Sequence, residues 1–195
     1  MKSGQKKGRI VLASQSEARK RLLKRLGLDF EVRPAHLDED AVQKKISDPR
    51  KLVAELSRMK ARAVSIDGAF VIGSDQVLVC DGKIFGKPHT SAKACGQLAK
   101  FSGKQIELLT GCCIRTPEGR ERVFVHKTAM KFRKLSAREI GEYVHADQPL
   151  ECSGSFKFES LGISLFESVK TDDPTAIEGL PLLRVNKILR ELGAL

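Results

Sequence analysis

The side chains equipped for chemistry in this sequence are carboxylates, lysines and one basic helix start. Ser14 to Lys20 follows an apolar stretch and opens a helix. Free backbone N–H groups at such a start favour anions. Arg19 and Lys20 add fixed positive charge beside them. Asp38 and Glu39, and later Asp75, fall at the ends of apolar stretches, which in open α/β sheets is where ligands bind. Magnesium needs only one or two carboxylates together with substrate phosphates. Lys60, Lys157 and Lys87, the last framed by Gly86 and Pro88, supply further cations. Singly, each of these is also what a solvated surface offers; it is their combination that suggests a site. The four histidines (His36, His89, His126 and His145) form no triad or ligand spacing, and there is no GxSxG. The chemistry available therefore suits water attack on a phosphoanhydride, not acyl transfer.

The elements that must position these groups are readable from periodicity and caps. Arg9 to Ala13 reads as a short buried strand and Glu17 to Leu26 as a helix, capped by Ser14 or Ser16 and stopped by Gly27. Phe30 to Val32 is a second strand, followed by an acidic turn from Leu37 to Asp40. Asp48-Pro49 opens a helix with the apolar stripe Leu52, Leu56, Met59 and Ala63. Phe70 to Gly73 reads as a buried strand that ends at Ser74-Asp75-Gln76. Val77 to Cys80 and Lys83 to Phe85 form a hairpin around Asp81-Gly82. Thr90 caps a helix to about Phe101. Ile106 to Arg115 and Arg122 to Arg133 are two long strands, and Ser136 to Glu139 is a capping box. A loop from Glu151 to Gly162, a strand from Ile163 to Val169 and a helix opened by Pro181 complete the chain. Alternating strands and helices argue an α/β fold with a mixed sheet and flanking helices.

With 195 residues, 41% of them hydrophobic, the chain can bury a sizeable core as one domain or two joined lobes. No apolar run approaches the roughly 20 residues that cross a bilayer, and no secretory signal is visible, so the expectation is a cytoplasmic protein without membrane contact. Five cysteines in no metal-binding spacing read as reduced buried thiols, with Cys112 and Cys113 facing opposite sides of a strand. A net charge of +11 favours a polyanionic partner, nucleotide or nucleic acid. One Tyr and no Trp argue against a single-strand stacking platform, and no nucleic-acid motif is present.

In this order the pieces resemble the Maf family of nucleoside triphosphate pyrophosphatases. The resemblance rests on Leu12-Ala13-Ser14 with Arg19, Asp38-Glu39, Lys60-Ala61, Ile72 to Gln76, and Gly86-Lys87-Pro88. Thr110-Gly111, Phe132-Arg133, Gly154 to Lys157 and Gly179 to Leu182 complete it. It implies a single domain over residues 9–195 after a basic extension of residues 1–8, and two lobes around a deep cleft. It also implies a magnesium or manganese requirement and often a homodimer. Ser14, Arg19, Lys60 and Lys87 would hold the triphosphate, and Lys20 and Lys157 would also bind substrate. Glu39 and Asp75 would bind metal, with Asp75 activating water, and Gln76 and Glu159 would read the base. Gln76 and the Gly154 to Lys157 motif with Glu159 resemble the subgroup acting on 7-methyl-GTP, with dTTP or UTP as the alternative within the family. Glu17 and Lys20 depart from the family's usual Pro and Arg, and Ala18 sits where the 7-methyl-GTP subgroup often carries a large aromatic. Ala18 removes a possible stacking surface and so bears on base choice. A nucleic-acid-binding module and a catalytically silent regulator are the competing readings from other classes.

Overall fold

The computed structural model describes residues 8–195; the basic extension expected over residues 1–8 lies, but for Gly8, outside the described residues. Among the described residues, a seven-stranded mixed sheet is flanked by six α-helices. Its strands are β1 (Arg9–Leu12), β2 (Phe30–Val32), β3 (Ala69–Cys80), β4 (Lys83–Phe85), β5 (Gln105–Arg115), β6 (Glu121–Phe132) and β7 (Phe166–Lys170). They lie in the order β2-β1-β3-β5-β6-β7, with β4 on β3. The β2-β1-β3 edge is parallel, and the β3-β5-β6-β7 remainder is antiparallel. The helices are α1 (Glu17–Lys24), α2 (Glu39–Lys45), α3 (Pro49–Ala63), α4 (Ser91–Phe101), α5 (Ala137–Asp147) and α6 (Leu182–Glu191).

The caps act as their side chains require. Ser16, Asp48, Thr90 and Ser136 each accept a hydrogen bond from a backbone N–H of the first helical turn, and Glu139 returns the bond to Ser136. Asp81 and Gly82 both take positive φ, as the tight β3–β4 hairpin needs.

Three local readings are corrected. Leu37 to Asp40 is not only a turn: Asp38 caps the short helix α2, whose first residue is Glu39. The helix buries no residue, so it has no apolar stripe to announce it. Ser74-Asp75-Gln76 does not end a strand; β3 runs unbroken from Ala69 to Cys80. The strand read from Ile163 begins only at Phe166, because Leu161–Leu165 is a 3₁₀ turn that leaves Ile163 exposed.

One face of the long strands carries two apolar clusters. The first joins Leu12, Leu22, Ile72, Ile114 and Leu189; the second joins Leu78, Leu98, Phe101, Leu108 and Phe132. Between them, on the same face by strand alternation, run Ser74, Gln76, Thr110, His126 and Thr128. The opposite face is covered by α3, through smaller clusters around Val71 and Val77. There the middle positions are Gly73, Asp75 and Gly111. A Cβ on Gly73 would fall 2.3 Å from the Ser57 carbonyl oxygen, and one on Gly111 would fall 2.2 Å from that of Val53. The two glycines let α3 lie directly on the sheet, and that contact sets the height of Lys60 above β3.

Candidate active site

The site forms where the sheet is interrupted. β1 pairs with β3 only as far as Ile72, and β4 takes up the same edge at Leu78. Between them, the Gly73–Val77 stretch of β3 has no strand neighbour on that side. Ser14 and Arg19 follow β1 at one end of this gap. The Gly86 to Pro88 turn after β4 closes the other, joined to the loop after α5 by the Gly154 N–H to Gly86 carbonyl bond of 3.3 Å.

On the α3 face, the Lys60 ammonium lies 2.6 Å from Asp75 Oδ1 and 2.8 Å from Glu39 Oε1. Lys60 and Asp75 are buried, whereas Glu39 is about half exposed. Three elements thus contribute: α3 the lysine, β3 the aspartate and the first turn of α2 the glutamate. Asp38, beside Glu39 in sequence, accepts the Ala41 N–H as a helix cap and does not join the cluster. Two hard oxygen donors already converging on one cation fit magnesium or manganese by donor type.

Arg19 reaches the same region from α1. Its Nε donates to the Gly179 carbonyl at 2.9 Å and Nη1 to Ser14 Oγ at 3.3 Å. Burial pushes its guanidinium pKa below the ordinary value, opposed by the charges of Asp75 and Glu39. Ser74 Oγ, on the other face of β3, is 2.9 Å from both the Gly111 and Gly179 carbonyl oxygens. Gly179 therefore anchors the start of α1 and the middle of β3 together.

Gln76 points to the face opposite Asp75. Its Nε2 donates to Thr110 Oγ1 at 2.8 Å and to the Ala176 carbonyl at 2.8 Å, which leaves Oε1 as its acceptor for anything else. Lys87 is exposed and 3.5 Å from Glu151. The Lys157 ammonium donates to the Asp147 carbonyl at 2.5 Å, at the end of α5. Glu159 Oε1 is 3.1 Å from Arg21 Nη2. Lys157 and Glu159 lie in the loop after α5, which the Gly154–Gly86 bond ties to the turn that carries Lys87. Lys20 is turned to Glu17 at 2.6 Å, and Ala18 is half-buried on α1. The structure thus brings Ser14, Arg19, Lys60, Glu39 and Asp75 into one group. Lys87, Lys157 and Glu159 form a second, joined to β3 by Ser153 Oγ at 3.5 Å from the Gln76 carbonyl oxygen.

Sequence reasoning assigned no role to Ser74, Thr110, Gly73 or Gly111. A polar or glycine position inside an otherwise apolar strand was the available signal. Arg21 had none, because its partners lie 138 and 157 residues away.

An α/β sheet with an opened strand edge, cations on both sides of the opening and two converging carboxylates is an arrangement chemically suited to a phosphoanhydride substrate. The chain belongs to the Maf family: the family model described as Maf-like protein matches residues 9–192. It is 41% identical to a protein of Idiomarina loihiensis named 7-methyl-GTP pyrophosphatase, over 94% of each chain. Relatives of the same name from Colwellia psychrerythraea and Xanthomonas campestris are each 42% identical. They cover 94% and 95% of this chain and 92% and 96% of their own length. Among the described residues, no helix is long and apolar enough to cross a membrane.

Proposed function

We propose that the protein hydrolyses a nucleoside triphosphate to the monophosphate and pyrophosphate, with 7-methyl-GTP as its best substrate. The observation that carries this reading is the Lys60 ammonium held between Glu39 and Asp75 at the open edge of β3. A triphosphate entering the gap meets Ser14 and Arg19 on one side and Lys87 on the other. Lys60 and Lys87 neutralise charge that develops on the phosphate oxygens, which is the larger share of phosphoryl-transfer catalysis. Glu39 and Asp75 would hold magnesium or manganese, which when bound supplies further charge neutralisation on the phosphates. Asp75, fixed by Lys60, accepts the proton of the water that attacks the α-phosphorus, and pyrophosphate leaves in line.

Base choice falls to the second group of residues. Glu159 carries a carboxylate that can accept the paired N1–H and N2–H donors of guanine, and a methyl at N7 adds positive charge that such a carboxylate favours. Gln76 Oε1 is a further acceptor. The names carried by the relatives at 41% and 42% identity agree with this choice.

The test is pyrophosphate release from 7-methyl-GTP, GTP, UTP and dTTP with magnesium or manganese, each compared by kcat/KM. The expected ranking places 7-methyl-GTP first, with equal amounts of monophosphate and pyrophosphate, and with the preference reduced in Glu159→Gln. A lead for UTP or dTTP would overturn the base assignment. Orthophosphate with a diphosphate would overturn the bond assignment.

A further inference from the structure

Arg21 joins three segments that are far apart in sequence. It projects from α1, two residues after the inward-turned Arg19. A single nitrogen, Nη2, lies 3.1 Å from Glu159 Oε1 in the loop after α5 and 3.0 Å from Glu178 Oε2 in the 3₁₀ turn Pro174–Glu178. The carboxylates are the less accessible partners: their side chains are 30% and 17% exposed, against 55% for Arg21. Hydrogen bonding to Glu178 first, and to Glu159 as well, holds the guanidinium pKa above its ordinary value. Ala18 lies one turn earlier than Arg21 on the same strip of α1.

This arrangement has a chemical consequence for the base. A carboxylate that accepts two guanine donors uses both its oxygens, and Arg21 already engages one oxygen of Glu159. A cationic base must also compete with a cation that is part of the protein. With Arg21 present, the Arg21–Glu159–Glu178 triad carries one positive charge against two negative; without it, both carboxylates lose their direct cationic partner.

We infer that Arg21 is a specificity-determining residue: by holding Glu159 together with Glu178, it restrains the preference for a cationic N7-methylated guanine over neutral guanine. This rests on the proposed reading of the site as a nucleotide pyrophosphatase whose base meets Glu159. It assigns Arg21 no contact with the phosphates, so its effect belongs in KM and in the ratio between two substrates that differ by one methyl group.

The experiment compares kcat/KM for 7-methyl-GTP and GTP in the full-length enzyme and in Arg21→Ala, Arg21→Lys and Glu178→Gln. Arg21→Ala should raise the ratio of the two values by about tenfold, through KM, with Arg21→Lys between it and the parent. Glu178→Gln should lower the ratio, because Arg21 then has Glu159 as its remaining carboxylate. A merely structural role for Arg21 would change both substrates alike. An unchanged or lower ratio in Arg21→Ala, with the parent active on either substrate, overturns the inference alone. A parent inactive on both overturns the functional reading and the inference with it.

Discussion

Gly111 stands directly across the β3–β5 ladder from Asp75, and a methyl group there would fall 2.2 Å from the Val53 carbonyl oxygen on α3. The absent side chain is thus part of what places Lys60 on Asp75. Gly73, two residues before Asp75 on the same face, does the same one turn further along α3, against Ser57 and Ala61. The ion pair at the site depends on how close a helix approaches a sheet, and two glycines set that approach.

Gly111→Ala should therefore act on stability and on turnover together. Lifting α3 by even a fraction of an ångström costs about 1–3 kcal/mol of overpacking. It also moves Lys60 relative to Asp75, which should lower kcat by roughly 10²-fold. Gly96→Ala is the control: Gly96 lies inside α4 with open space around it, so the change should raise stability slightly, by about 0.5–1 kcal/mol. Thermal unfolding and kcat of the two variants check this. Equal behaviour would sink the packing argument.

Lys60→Met separates the two roles of the lysine. Asp75 would remain buried without its cation, a loss of about 3–5 kcal/mol for a broken buried pair. Magnesium should then raise the melting temperature of the variant more than that of the parent, because the two freed carboxylates regain a cation. Turnover should fall by roughly 10²-fold at saturating magnesium. A melting temperature indifferent to magnesium in both proteins would argue against metal binding by Glu39 and Asp75. EDTA should abolish activity in the parent, with magnesium or manganese restoring it.

Much of this architecture is legible in the sequence because local signals agree with it. The caps Asp48, Thr90 and Ser136 and the Asp81-Gly82 hairpin each follow from short-range physics. The misreadings have two causes. Ser74-Asp75-Gln76 looks like a turn because polar residues break an apolar run. In the folded chain, each finds a buried partner from far away: Gly179, Lys60 and Ala176. Helix α2 lacks a stripe because it lies on the surface. The candidate phosphate groups could be named from residue type and motif. The engagement of Glu159 with Arg21 and of Lys157 with Asp147 could not, since neither pair is close in sequence or marked by any local pattern.

The five thiols make a test of the second group of residues. Burial pushes the Cys113 thiol up to about 12 and that of Cys112 higher, so neither should react with Ellman's reagent in the native state. Cys80 is buried as well. Cys95 and Cys152 are the partly accessible ones, and burial also raises Cys152. At pH 8 the native protein should show slow labelling confined to these two. Saturating 7-methyl-GTP with calcium in place of magnesium should protect Cys152, which lies in the same loop as Lys157 and Glu159, and leave Cys95 unchanged. Mass spectrometry of the labelled peptides distinguishes them, and equal labelling with and without nucleotide would remove the loop from the binding site.

The last prediction concerns acid stability and His126. This residue stands across the β5–β6 ladder from Thr110, whose hydroxyl bonds both Gln76 and the Ala176 carbonyl. His126 Nε2 is 2.8 Å from Thr171 Oγ1. The Thr171 hydroxyl donates to the Asp173 carbonyl, so in the His126–Thr171 contact the imidazole Nε2–H is the donor. Burial lowers the pKa of His126 below its ordinary value near 6.5, with Asp173 and Asp172 opposing and Arg184 assisting. A depressed folded-state pKa means that the unfolded chain takes up a proton at a pH where the folded chain does not. The stability it contributes is therefore full above the unfolded value near 6.5 and is lost as pH falls through the folded value. The melting temperature should decline from pH 7 toward pH 5, and His126→Gln should flatten that decline, because glutamine keeps a donor for Thr171 but does not titrate. If the parent and variant decline in parallel, His126 is not the group responsible. If the variant loses stability equally at all pH values, its hydrogen bond to Thr171 matters and its titration does not.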